Sequence, residues 1–223
     1  MSRPWKNLCI AALLWTATAS ATADESLDAA AAESVVLRAL DVARDLESRR
    51  LMYSNDGAEL RDCSGIFHRL LQEVRRSCGS LPGPQVETER STRGVARWYA
   101  DNGQLTLIHD AEAQDELIQP GTVMFYGERN VTYGRLSLEE TLEKISHMGI
   151  VMSVSGGSGI EVHHYKLFHG RRSGIPAGET YHGRRPRNQA HPPLGCGSQQ
   201  WIAAARLCEG EDCVCSSDES GPP

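Results

Sequence analysis

The run Asp62-Cys63-Ser64-Gly65, followed by Ile66, Phe67, Leu70, Leu71 and Val74, constrains this chain more than any other segment. Apolar residues at three- and four-residue intervals form one stripe of a helix, which must be buried against another layer. The cysteine falls in the first turn of that helix. A helix N-terminus carries about half a positive charge and unpaired N–H groups. Both favour thiolate over thiol, the form that acts as nucleophile in acyl transfer. Gly65 leaves room for a close approach to the backbone. The helix is predicted to run from about Cys63 to Arg76, with Arg75 and Arg76 at its negative end and Gly79 just beyond. A lone cysteine in this position is more often a packing residue or half of a disulfide, so the remaining residues must decide.

Ahead of it, Val35, Ala39, Val42 and Leu46 recur at helical spacing between Ser34 and Arg50. Tyr53 to Arg61 reads as a polar loop, and Leu81-Pro82-Gly83-Pro84 as a turn. A short helix is predicted near Thr92–Asp101 and a strand near Gln104–His109. After Pro120-Gly121, Thr122 to Tyr126 reads as a strand, and Ser137–Ile145 as a helix. Two β-rich runs, His147–Val154 and Ile160–Tyr165, flank the turn Ser155-Gly156-Gly157-Ser158-Gly159 and predict a hairpin. A last strand is expected over Gln200–Leu207. The acidic, proline-ended tail from Glu209 to Pro223 reads as disordered.

The first 23 residues read as an export signal: Arg3 and Lys6, an apolar run from Leu8 to Trp15, then Ala21-Thr22-Ala23 as a cleavage site before Asp24. The apolar run is too short to span a bilayer, and no later segment is long enough. Cleavage removes Arg3 and Lys6 and no acid, which moves the formal charge from −6 to −8. So acidic a chain lacks the basic footprint of a general nucleic-acid binder. The exported chain keeps Cys63, Cys78, Cys196, Cys208, Cys213 and Cys215. Disulfides are expected among them in an oxidising compartment, with Cys208–Cys213 and Cys196–Cys215 as candidate pairs. Cys213-x-Cys215 is not a zinc knuckle, so no metal is assigned, and no cofactor is implied.

A hairpin sets strand neighbours about 5 Å apart. It can therefore seat His147 beside His163 or His164, giving Cys63 a base and giving that base an orienting partner. Strand alternation groups Ile160, Val162 and His164 on one face and Glu161, His163 and Tyr165 on the other. If the apolar face packs on the helix, His164 points toward Cys63; if the strand bulges at the double histidine, His163 takes that place. His68, His109, His169, His182 and His191 are read as structural or solvated.

Asp62-Cys63-Ser64-Gly65-Ile66, Pro120-Gly121-x-x-x-Phe125-Tyr126 and His147-Met148-Gly149-Ile150-Val151, in that order, resemble the NlpC-type, papain-like cell-wall cysteine peptidases. The resemblance covers about residues 34–168 of a domain spanning 24–207, leaving 208–223 as a cysteine-containing tail. It implies an α+β fold in which the nucleophile helix packs on an antiparallel sheet, here with inserted loops and a C-terminal extension. It further implies a thiol hydrolase, periplasmic or secreted, that cuts amide bonds of peptidoglycan stem peptides, commonly after a γ-linked D-glutamate. Cys63 would be the nucleophile, His147 the base, His164 or His163 the third member, and Tyr53 and Ser64 substrate contacts. The same fold would also serve a silent wall-peptide binding module or a toxin-like amidase effector. Thr122 departs from the family, which has an aspartate after Pro-Gly, so that loop is expected to be held differently. The long stretch from Gly79 to Ser146 is expected to narrow the cleft. Arg171, Arg172, Arg184, Arg185 and Arg187 lie in a basic extension read as a solvated loop or a surface for wall carboxylates.

Overall fold

The computed structural model describes residues 34–54, 59–79, 81–111, 113–155, 163–170, 177, 179–183 and 199–215. The export signal, Cys196, His191 and the five arginines of the basic extension lie outside the described residues. Among the described residues four helices, α1 (Val35–Ser48), α2 (Cys63–Cys78), α3 (Thr92–Asp101) and α4 (Leu138–Lys144), accompany six strands. These are β1 (Leu105–Leu107), β2 (Thr122–Glu128), β3 (His147–Ser155), β4 (His163–Phe168), β5 (Glu179–Gly183) and β6 (Gln199–Arg206). The strands form one sheet in the order β1-β6-β2-β3-β4-β5, with every neighbouring pair antiparallel. The class is therefore α+β.

Both faces of this sheet are buried, because alternate residues enter two separate apolar clusters. Val123, Phe125, Met148, Ile150 and Met152 join Ile66, Phe67, Leu70, Leu71 and Val74 of α2 and the inner face of α1. Met124, Tyr126, Val151, Leu167 and Trp201 pack on the opposite side with Ile108 and Ile118. The apolar stripe of α2 thus finds the layer it requires, on β3 and α1. Paired charges Arg93–Glu143 and Arg97–Glu139 tie α3 to α4.

Caps set where the helices begin. Asp62 accepts from Gly65 N at 2.7 Å, and Ser91 accepts from Gly94 N at 3.0 Å. Ser137 and Glu140 form a reciprocal capping box at the start of α4. Gly65 is required by the chain itself: a Cβ there would lie 2.6 Å from Asp62 Oδ1 and 2.7 Å from the Leu60 backbone. Gly121 has φ of +86°, a turn conformation that suits glycine. Buried Thr122 holds that turn by donating from Oγ1 to Leu117 O at 2.7 Å. A hydroxyl here takes over the position where the family resemblance led one to look for an aspartate.

The structure departs from these expectations at four points. The second hairpin strand runs His163–Phe168 and so extends three residues beyond Tyr165. Strand β5 was not anticipated. The tail is structured as far as Cys215, with a 3-10 turn at Gly210–Cys213, a Ser34–Val214 bridge and two disulfides. Cys208–Cys213 pairs as expected, but Cys215 is bonded to Cys78 rather than Cys196. The bridge beside Ser34 carries the tail over the buried C-terminal end of α2, within reach of Cys78. This bond spans 137 residues of sequence. Cross-linking so long a segment restricts the unfolded chain, so Cys78→Ala should cost about 2–5 kcal/mol. Urea denaturation checks this, and an unchanged midpoint would contradict it.

Candidate active site

Cys63 is the first residue of α2, lies partly buried, and is not disulfide-bonded. His147 is the first residue of β3, the strand on which α2 packs. The two meet with Cys63 Sγ 2.7 Å from His147 Nδ1. On the other side of the same ring, His147 Nε2 lies 2.8 Å from His169 Nδ1. Sulfur, base and orienting ring therefore form one continuous hydrogen-bonded relay. For Nδ1 to receive the thiol proton, Nε2 must carry hydrogen and donate to His169 Nδ1.

The ring beside His147 is that of His169, and the strand register sets His164 and His163, the expected partners, apart from it. The β3–β4 register pairs Ile150 with Phe168 and Ser155 with His164. His164 thus sits opposite the far end of β3, eight residues from His147, or about 26 Å at 3.3 Å per residue. His163 lies beyond it, opposite Gly183 of β5. His169 follows directly on Phe168, at the end of the hairpin that reaches back to His147. Gly149 makes the space: a Cβ there would come 2.8 Å from His169 Cβ. Counting eight residues outward from either end of the turn Ser155–Gly159 pairs His147 with the neighbourhood of Leu167, two residues from His169 and well beyond His163 and His164.

Tyr53 has its hydroxyl 3.8 Å from Sγ. Its ring fills the space left by Gly170, whose absent Cβ would fall 2.1 Å from Tyr53 Cδ2. Burial, reinforced by the negative charge of a Cys63 thiolate, holds the phenol above its ordinary range. Tyr53 therefore keeps its O–H as a potential donor beside the sulfur. Ser64 is buried, and its Oγ accepts from Arg90 Nη1 at 3.0 Å.

Arg90 was not anticipated. Its Nη1 and Nη2 bind the two oxygens of Asp62 at 2.9 and 3.0 Å, a forked ion pair at the tip of α2. The Asp62 carboxylate caps the helix, yet its charge next to Cys63 opposes thiolate formation; Arg90 offsets that charge. The Arg90 loop is anchored in turn by buried His68, whose Nε2 lies 2.8 Å from Glu89 O. His68 is structural, as expected. A cleft of about 760 Å³ opens at Cys63, lined also by Tyr53, Asp62, Ser64, Arg90 to Arg93, Ile145 and Ser146. Most of its wall comes from the Gly79–Ser146 stretch.

Burial, and secondarily the neighbouring charge of His169, push the His147 pKa down to about 3. His147 is thus a neutral base at neutral pH. Burial also lowers the pKa of His68. In the unfolded chain both rings titrate near 6.5. Below that pH the unfolded state binds more protons than the folded one. Their contribution to stability is thus complete above pH 6.5 and declines as pH falls toward the folded values. Urea midpoints should drop between pH 7 and pH 4, less steeply in His147→Ala; equal slopes in the two proteins would contradict this.

Among the described residues no His, Cys, Asp and Glu group is placed to hold a metal, and no helix is long and apolar enough to cross a membrane. Comparison of the chain with protein-family models, curated proteins and solved structures found no match in any of the three.

Proposed function

We propose that this protein is an exported, papain-like cysteine amidase or endopeptidase that hydrolyses amide bonds of peptidoglycan stem peptides. The observation that carries the chemistry is the relay from Cys63 Sγ through His147 to His169, at 2.7 and 2.8 Å. Its open end is the cleft at Cys63. A binding-only module has no need to hold a thiol against an oriented imidazole, and no observation favours that reading over catalysis. The export-type leader and the order of the three motifs support a wall peptide as substrate.

In the reaction, His147 Nδ1 takes the thiol proton as Sγ bonds to the substrate carbonyl carbon. His169 accepts the Nε2–H and steadies the imidazolium that forms. The Gly65 and Ile66 amides are engaged by Asp62. An earlier first-turn amide, with the Tyr53 hydroxyl, would therefore stabilise the oxyanion. Collapse of the tetrahedral adduct breaks the C–N bond, and Nδ1–H passes its proton to the leaving amine. Water then attacks the thioester with His147 as base, releasing the acid and restoring the thiol.

The test is digestion of purified peptidoglycan, with the soluble products weighed by mass spectrometry. Peptide fragments bearing one new amine and one new carboxylate are expected. Sacculi left intact by stoichiometric protein would refute the reading.

A further inference from the structure

The wall of the cleft bears on which peptides it accepts. Asp62 is the one acid in its lining among the described residues, and both of its oxygens are bound by Arg90 while Oδ1 also caps α2. Ser64 is held by the same guanidinium. Among the described residues no carboxylate in the lining is therefore left to receive a substrate ammonium group. The second cation, Arg93, is arranged differently. Its Nε donates to Ile145 O at 3.2 Å and its Nη1 to Glu143 at 3.0 Å, which fixes the plane of the guanidinium. Its Nη2 makes no hydrogen bond among the described residues, and the side chain is about half exposed. Arg90 is paired with Asp62 and Arg93 with Glu143, so what Arg93 adds to the lining is the Nη2 edge of a guanidinium held in a fixed plane.

Both arginines lie in the wall of the cleft that opens at Cys63. Arg90 is bonded to Ser64, next to Cys63, and Arg93 to the carbonyl of Ile145, two residues before His147. From this placement, and resting on the function proposed above, we infer that Arg93 binds a carboxylate carried on the substrate residue whose carbonyl is attacked. The peptides selected are those with a free acid at that position. A neutral carboxamide, or a positively charged group, is disfavoured there. Arg93 is the specificity-determining residue, with Arg90 holding Asp62 and bracing the tip of α2.

The experiment uses two synthetic stem peptides that differ only in the α-carboxyl of their γ-linked glutamate, one the free acid and the other the carboxamide. Digestion of purified sacculi runs in parallel. The wild-type protein should cleave the acid with kcat/KM about tenfold or more above the carboxamide, the scale of one charge-assisted hydrogen bond. In Arg93→Gln that ratio should fall toward one, whatever happens to the absolute rates. Because Arg93 is bonded to Ile145 O, a merely structural disturbance of β3 would slow both peptides together and leave the ratio standing. Equal wild-type rates on the two peptides, or a ratio unmoved in Arg93→Gln, would overturn this inference while leaving the proposed activity intact. Sacculi left undigested would overturn the activity and the inference together.

Discussion

Cys63→Ala is expected to lower turnover of wall peptides by about four to six orders of magnitude, the usual consequence of removing a nucleophile that works as part of a unit. The fold should survive. Residue 63 opens α2 beside the cleft rather than filling the core, and alanine suits a helix. Denaturation should show a change within about 1 kcal/mol. Product release by fully folded Cys63→Ala at the wild-type rate would remove this sulfur from the chemistry.

His169→Ala should produce the next largest loss, about 10²- to 10⁴-fold in kcat with KM little altered. Two effects act together: the His147 Nε2–H loses its acceptor in a buried position, and the ring loses the contact that keeps Nδ1 aimed at Sγ. A smaller acceptor at the same place, His169→Asn, should restore part of the rate. His163→Ala and His164→Ala serve as controls and should remain near wild type, since the register places both at the far end of β3 from His147. Kinetics on the four variants decide the assignment. A loss confined to His164→Ala or His163→Ala, with His169→Ala unaffected, would reverse it.

The sequence carried most of the helices and strands because local periodicity determines them. The stripe from Ile66 to Val74 announced α2, and the predicted helix at Thr92–Asp101 coincides with α3. Cys63 and His147 were legible for the same reason, each opening a strongly patterned element. The third member was missed because its position depends on pairing register, which is a property of two strands rather than one. A hairpin joins the start of its first strand to the end of its second, so a partner for His147 lies at the far end of the second strand, and the register shift between Val151 and Ser153 sets which residue it is. The adjacent histidines at 163 and 164 drew attention to the wrong end. Arg90 and Arg93 were hidden differently. They lie in a segment with little periodicity, and only the fold brings them to Asp62 and Ile145, 28 and 52 residues away in sequence. The Cys78–Cys215 bond was illegible for a similar reason, since the tail is carried back to α2 by contacts no local pattern records.

The account depends on His147 activating Cys63, and this can be measured without any substrate. The rate at which iodoacetamide alkylates Cys63 should be followed by mass spectrometry across pH 5 to 9, in the wild-type protein and in His147→Ala. The wild-type sulfur should react at least about tenfold faster than the variant below pH 7, because an adjacent neutral imidazole can take its proton. Superimposable profiles would mean that the imidazole 2.7 Å away does nothing to the sulfur, and the relay would be a packing contact.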